Sequence, residues 1–378
     1  MDEEFHVAQF QKTQNYLFAQ NGLWEWDPKI TTFPGLYFLT SALVGSCKVN
    51  LTILRGINAF LMNGLLYYTV GKLTEDNWAI ASAVVLYPLN FFYSLLYYTD
   101  SVATVFVIIT AMFMKKKEFF ISGFFGLLSV FMRQTNIVWL FGLCLLEVIS
   151  RLPVRWSMIT SVLRDMWLHA LVGLGFVYFV FAVNDSSIVL GHKEYHSFSL
   201  HFAQINYLVL TAVGACGPSE WLFIIKGFFS TEKKPRLIPL VSCFLMSLGA
   251  AYFGTVAHPF ILSDNRHYSF YFFKYFISRP WIRYLLIPLT VSVSLVYSRI
   301  LRPITSQLIW LCALISLVPT PLIEFRYFNI VVSLLLCSQK SIDKNTILFF
   351  LIVNLVTVFV FVFRPFIGVD GKVARFMY

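Results

Sequence analysis

Apolar residues run through this chain in long, nearly unbroken stretches separated by short polar corners. About 20 such residues in a helix span the hydrocarbon of a bilayer, so the pattern predicts membrane helices, and the alternating segments of an outer-membrane barrel are missing. Helices are expected over Leu51–Gly71, Trp78–Tyr98, Ser101–Met114, Phe119–Met132, Thr135–Ile149, Trp167–Val183 and Ile205–Ile225. More are expected over Leu237–Ala257, Ile282–Ser298, Ile304–Leu317, Tyr327–Cys337 and Ile347–Phe363. Ahead of them, Met1–Pro34 is polar and aromatic, and its Asp27–Pro28 and Phe33–Pro34 steps read as loop. The stretch Leu36–Cys47 is too short to cross alone and reads as re-entrant. The expected architecture is an all-α polytopic membrane protein. Residues 1–35 form an acidic, aromatic segment, and residues 36–378 form a domain of about 11–13 helices.

Composition agrees, since 58% of the 378 residues are hydrophobic and 13% charged, too apolar for a soluble domain. The net charge of +10 reads as loop cations that orient helices and meet anionic headgroups, not as a nucleic-acid surface. The six cysteines lack C-x-x-C spacing and read as small core residues. No cleavable signal peptide opens the chain and no retrieval tetrapeptide closes it, so insertion is expected to use internal spans.

Basic loops assign the cytosolic face: Lys115–Lys117, the Arg151/Arg155/Arg164 stretch, Lys226 with Lys233, Lys234 and Arg236, and Arg299 with Arg302. Alternation then puts Asp100, the Arg133–Asn136 corner, residues 184–204, the loop at 258–281 and Glu324–Arg326 on the opposite face. Lys274, Arg279 and Arg283 run against the positive-inside bias there, as cations answering an anionic ligand would.

Ionisable groups in such surroundings are retained mainly where they face water, a partner or a substrate. MDEEFH sets Asp2, Glu3 and Glu4 beside His6, a solvated acidic segment or a general base for a hydroxyl. In LYYTD, Asp100 suits a helix cap as well as a functional acid. In FMRQTNIVW, Arg133 marks a hairpin corner or a bidentate grip on phosphate or carboxylate. His192, His196 and His201 match no metalloprotease spacing, and their loop suits an oligosaccharide or a phosphate better than zinc. HPFILSDNRHY gathers His258, Asp264, Asn265, Arg266 and His267, with Tyr268 and Tyr271 as walls. Phosphate binding by Arg266 and His267 is more economical there than metal ligation through Asp264. In PLIEFRYF, Glu324 and Arg326 project from one side of an extended segment, as an ion pair or as part of a site. Asn50 and Asn184 begin N-glycosylation sequons.

Taken in order, MDEEFH, WDPKITTFPGLY, LYYTD, RQTNIVW, HPFILSDNRHY and PLIEFRYF resemble the successive motifs of the Alg10 (Die2) family of dolichyl-phosphate-glucose-dependent α-1,2-glucosyltransferases. The likeness runs from the first residue to a closing RFMY. It implies a GT-C fold in the endoplasmic reticulum membrane with a lumenal active site. The implied donor is dolichyl β-D-glucosyl phosphate, and the implied acceptor is the diglucosylated, nine-mannose glycan on dolichol diphosphate. Transfer of the third glucose would invert the anomeric centre, with no cofactor and no metal. Asp2 is the implied base, with Glu3 next, while Arg133, Arg266, His267 and Arg326 meet the leaving phosphate. Trp24, Trp26 and Tyr268 would stack on sugars, and the other residues named, from Asp100 and His196 to His258 and Glu324, would bind substrate. The family carries a membrane helix just before the MDE motif, so that anchor is expected to be missing here, and His192 stands where the family shows Asp. Two rival readings share these residue types: another GT-C transferase using a dolichyl-phosphate sugar, and a polytopic transporter. A transporter should show repeats between two halves, which the sequence lacks.

Overall fold

The computed structural model describes residues 2–19, 24–153, 155–196, 198–229, 237–258, 264–279, 281–285, 287, 304–368, 371 and 373–378. The side chains at 2, 195–196, 223–224, 227–229 and 237–239 fall outside that description. Helices dominate, grouped in two compact units: Met1–Val85 with Asn90–His196, and Leu86–Leu89 with Ser197–Tyr378.

The first unit opens with α1 (Asp2–Phe18) and α2 (Gly35–Val44). Next, α3 (Leu51–Phe60) passes through a π-turn at Leu61–Leu65 into α4 (Leu66–Leu73). Then come α5 (Trp78–Leu86), α6 (Pro88–Ser94), α7 (Thr99–Lys115), α8 (Phe119–Met132), α9 (Ile137–Ser150), α10 (Trp156–Asp165) and α11 (Trp167–Tyr178). Helix α7 is buried from Thr99 through Met112, as a helix that is apolar on all sides must be. Small residues on α8 let its neighbours close in. Ser122 Oγ donates to Thr110 O of α7 at 3.0 Å, Gly123 receives Leu168 of α11, and Gly126 receives Leu140 of α9.

The second unit holds α12 (Ala203–Cys216), α13 (Pro218–Phe229) and α14 (Leu237–Phe253). It continues with helices at Tyr268–Phe272, Ile304–Leu317, Asn329–Cys337 and Lys344–Phe363. A short antiparallel hairpin follows, β1 (Phe366–Ile367) on β2 (Val373–Ala374). By length and composition, Lys344–Phe363 suffices to cross a membrane. Pro88–Ser94 with Thr99–Lys115, and Trp156–Asp165 with Trp167–Val183, suffice as pairs bent by 120° and 71°.

Most expected helices stand within a few residues of their sequence bounds, and Leu36–Cys47 becomes α2. The differences have local causes. Trp78–Tyr98 divides at Pro88, which cannot continue the α5 hydrogen-bond ladder. Ile205–Ile225 divides at Gly217, held at φ 81° before Pro218. Helix α10 occupies the basic stretch read as a loop. Helix α1 lies within the polar, aromatic segment for which no helix was expected, and its buried face is partly polar: Glu3, Gln9 and Thr13 beside Phe10. The expected Ile282–Ser298 helix extends outside the described residues, as do Lys233, Lys234, Arg236, Arg299 and Arg302. Cys216 and Cys312 are buried as small core residues, whereas Cys47 is exposed.

At Gly217 an added Cβ would combine a left-handed backbone with a clash against Thr346, whose hydroxyl donates to Cys216 O at 3.2 Å. Gly217→Ala should therefore cost roughly 1–3 kcal/mol, read as a lowered melting temperature in detergent. Gly249→Ala, where a Cβ meets open space within α14, should be neutral or stabilising in the same melt.

Candidate active site

In the first unit, α7 starts and α8 ends at the same corner, so Asp100 and Arg133 meet. Arg133 Nη1 pairs with Asp100 Oδ1, the carboxylate 4% and the guanidinium 17% exposed. The carboxylate also sits in the first turn of α7, where the helix dipole favours negative charge. About 25 Å away along the helices, the opposite end carries Lys115 on Glu75 at 2.9 Å and Lys117 on Glu147 at 2.6 Å. Within this unit, the lysines expected on the cytosolic face and the Asp100–Arg133 pair thus occupy opposite helix ends.

Helix α1 is fastened to the Asp100 corner. Glu3 is only 2% exposed; its Oε1 accepts from Arg55 Nε at 2.9 Å and Tyr97 N at 2.8 Å, and its Oε2 from Arg55 Nη2 at 2.6 Å. Three of about four carboxylate acceptor positions are thereby occupied. His6 Nδ1 lies 2.5 Å from Tyr37 Oη, and the His6 ring lies 5.0 Å from that of Tyr98. Gln9 holds the following loop on both sides, donating to Glu25 O and accepting from Asp27 N, each at 2.9 Å. Gln134 Nε2 donates to Thr31 O at 2.6 Å, so the loop also reaches the residue beside Arg133. Gly35 follows the loop, and a Cβ there would strike Phe131 O. Trp24 stacks on Trp26 and Phe38, at 6.0 and 5.3 Å between centroids, yet remains exposed. Thr32 Oγ1, Ser101 Oγ and Asn136 Oδ1 are buried in these segments without a hydrogen-bond partner among the described residues.

In the second unit Arg266 clasps Asp264 with both edges, Nε to Oδ1 at 2.8 Å and Nη2 to Oδ2 at 2.6 Å, and His267 Nε2 lies 3.5 Å from Oδ2. Burial acts to raise the Asp264 pKa, but the Arg266 hydrogen bonds and neighbouring His267 prevail and hold it below the ordinary carboxylate value. Asn265 and Tyr268 flank this pair half-buried, and His258 is buried. Glu324 pairs with Arg326 Nε across an extended-to-3-10 junction. Phe272, one turn past Tyr268, packs on Phe325 at 6.0 Å, which brings the two strings to one end of the unit.

The structure thus joins Glu3 with the LYYTD segment and Asp100 with Arg133, and separately joins Asp264, Arg266 and His267, and Glu324 with Arg326. Asp2 begins α1, but its side chain, like that of His196, lies outside the described ones. His192 takes φ 45°, a region open to His as to Asp, and faces Glu194 at 3.3 Å. His201 is not on a substrate-facing loop: it is fully buried, with Nδ1 3.1 Å from Pro321 O. Of the two sequons, Asn184 commits its amide to Ser187 O and Val189 O, at 2.7 and 2.8 Å, while Asn50 is exposed and caps α3. Sequence reasoning missed Arg55, whose charge near the start of an apolar stretch was an available signal. It also missed that Met377 and Tyr378 bond to the Arg266–His267 string.

Apolar helices whose acids and cations pair at helix ends define an all-helical protein with its polar chemistry concentrated at corners. The sequence matches the DIE2/ALG10 family over residues 1–158 and 143–337, and the chain belongs to that family. An Arabidopsis thaliana relative is 29% identical over 97% of this chain and 92% of its own length. A Drosophila melanogaster relative is 32% identical over 76% and 71%, and a Homo sapiens relative 29% over 100% and 93%. All three are named Dol-P-Glc:Glc(2)Man(9)GlcNAc(2)-PP-Dol alpha-1,2-glucosyltransferase. No solved structure matches.

Two measurements test this geometry. Asp100→Asn or Arg133→Gln alone breaks a buried ion pair and should cost about 3–5 kcal/mol, while the double substitution recovers part of that loss in a melting cycle. Burial pushes His201 down from 6.5 to about 4, against the opposing pull of the Pro321 and Thr320 carbonyls. The unfolded chain therefore takes up a proton near pH 6.5 that the folded protein refuses until near 4. Stability should be full above that window and fall by roughly 3 kcal/mol as pH drops through it, and His201→Gln should flatten the melting profile.

Proposed function

We propose that this chain transfers glucose from dolichyl β-D-glucosyl phosphate to Glc2Man9GlcNAc2 on dolichol diphosphate, forming the terminal α-1,2 linkage with inversion. The observation that carries this reading is the match along nearly the whole chain to relatives named for that reaction. The enzyme is a polytopic GT-C-type protein of the endoplasmic reticulum membrane with its site in the lumen. Residues 1–35 bring the base, and residues 36–378 form the membrane domain, with lumenal loops near 184–204 and 258–281. Both polyprenols stay in the bilayer, and the reacting groups meet at its surface.

Inverting transfer is a single displacement. The acceptor 2-hydroxyl oxygen bonds to the glucose C1 as the C1–phosphate oxygen bond breaks, its proton passes to a carboxylate, and dolichyl phosphate leaves with the electron pair. Asp2 is the base. The three hydrogen bonds on Glu3 support an anchoring role for that neighbour instead. Arg133 in the first unit, and Arg266, His267 and Arg326 in the second, are the groups offered to phosphate, and their carboxylate partners Asp100, Asp264 and Glu324 fix their orientation, as preorganised charge requires. Trp24, Trp26 and Tyr268 offer faces to sugar rings, with His196, His258 and Asn265 lining the site.

Purified protein given dolichyl-phosphate-glucose and lipid-linked glycans bearing zero to three glucoses should consume only the diglucosylated species. Glucose transfer to an unglucosylated or monoglucosylated glycan instead would point to another GT-C step. Asp2→Asn should lower kcat by at least about 100-fold with an unchanged melting temperature; wild-type turnover in that variant removes Asp2 as the base.

A further inference from the structure

The string that carries Arg266 and His267 owes part of its shape to residues more than a hundred positions later. Met377 N donates to Arg266 O at 2.9 Å and Tyr268 N donates to Met377 O at 2.8 Å, a parallel bridge that pins His267 on both flanks. The His267 ring is held as well, with Nδ1 3.0 Å from Tyr378 O. A backbone oxygen only accepts, so Nδ1 donates to it, and Nε2 is turned toward Asp264, 3.5 Å away. The later segment is itself anchored. Met377 is buried, the Tyr378 ring packs edge-on against Tyr268 at 5.3 Å, and Tyr378 Oη lies 3.0 Å from Thr357 Oγ1. Arg375 Nη1 donates to Phe361 O and Val362 O, at 2.7 and 2.8 Å, which ties the segment to carbonyls left open at the end of the Lys344–Phe363 helix.

We propose that Met377 and Tyr378 are positioning residues that set Arg266 and His267 to receive the phosphate of the donor. The inference rests on the reading of Arg266 and His267 as the donor-phosphate site. Two backbone bonds fix the height of the string, and the backbone oxygen of Tyr378 fixes the turn of the imidazole. Neither residue touches the reacting atoms; both act through the side chains they hold.

The test compares donor and acceptor KM for the full chain in detergent. Met377→Pro deletes the N–H bonded to Arg266 O, and Tyr378→Ala deletes the ring on Tyr268 and the tether to Thr357. Each should raise the donor KM about tenfold while the acceptor KM stays within about twofold, the size expected when hydrogen bonds to a charged group are misplaced. Met377→Leu and Tyr378→Phe keep the backbone bonds and the ring, and should restore near-normal donor KM. Arg266→Gln should raise the donor KM at least as much. If Arg266→Gln leaves it unchanged, the donor-site reading fails and this inference with it. If Arg266→Gln acts but Tyr378→Ala and Met377→Pro do not, the positioning role alone is overturned. An equal rise in both KM values together with a lower melting temperature marks a general structural role and overturns it too.

Discussion

Charge in apolar surroundings persists only when it is paired and its geometry is held, and the whole arrangement of this protein follows from that constraint. The Asp100–Arg133 pair is its sharpest expression: a carboxylate 4% exposed, placed where one helix begins and its antiparallel neighbour ends. Because α7 is mostly apolar and buried nearly throughout, charged groups on this hairpin belong at its two ends. Lys115 and Lys117 take one end and the acid–arginine pair the other, each answered by a partner.

The same logic explains why an acidic first helix is well packed. The buried Glu3 carboxylate would be untenable without Arg55 and the Tyr97 amide, and with them it becomes the bond that fastens α1 to the LYYTD segment. Gln9 and Gln134 do similar work with neutral hydrogen bonds, holding the WDPK loop and its stacked tryptophans against the corner. In the second unit the Asp264–Arg266–His267 set is likewise braced from outside its own string, by Met377 and Tyr378. Each polar corner is therefore assembled from residues far apart in the chain, and rigidity comes from carboxylates and carbonyls that orient the guanidinium and imidazole groups beside them.

Most helices were legible because apolar run length is a local property, as Phe119–Met132 and Ile304–Leu317 illustrate by matching their expected bounds. The misplaced breaks also had local signs: Pro88 and the Gly217–Pro218 step lay in plain view within runs read as continuous. Helix α1 escaped notice for a different reason. Its buried face carries Glu3, Gln9 and Thr13, so hydrophobic periodicity could not mark it. The loop histidines were the weakest inference, since a histidine reads alike whether it faces substrate or, like His201, packs against backbone carbonyls.

What the sequence determined by itself was the helical, apolar character of the chain and the polar strings at its corners, because the cost of an exposed apolar run or a buried charge is set residue by residue. Which charge answers which was decided only by the tertiary structure. Arg55 meets Glu3 across 52 residues, and Tyr378 meets His267 across 111. Such pairs form when packing brings particular helix ends together, and that coincidence depends on every intervening turn, which no local pattern encodes.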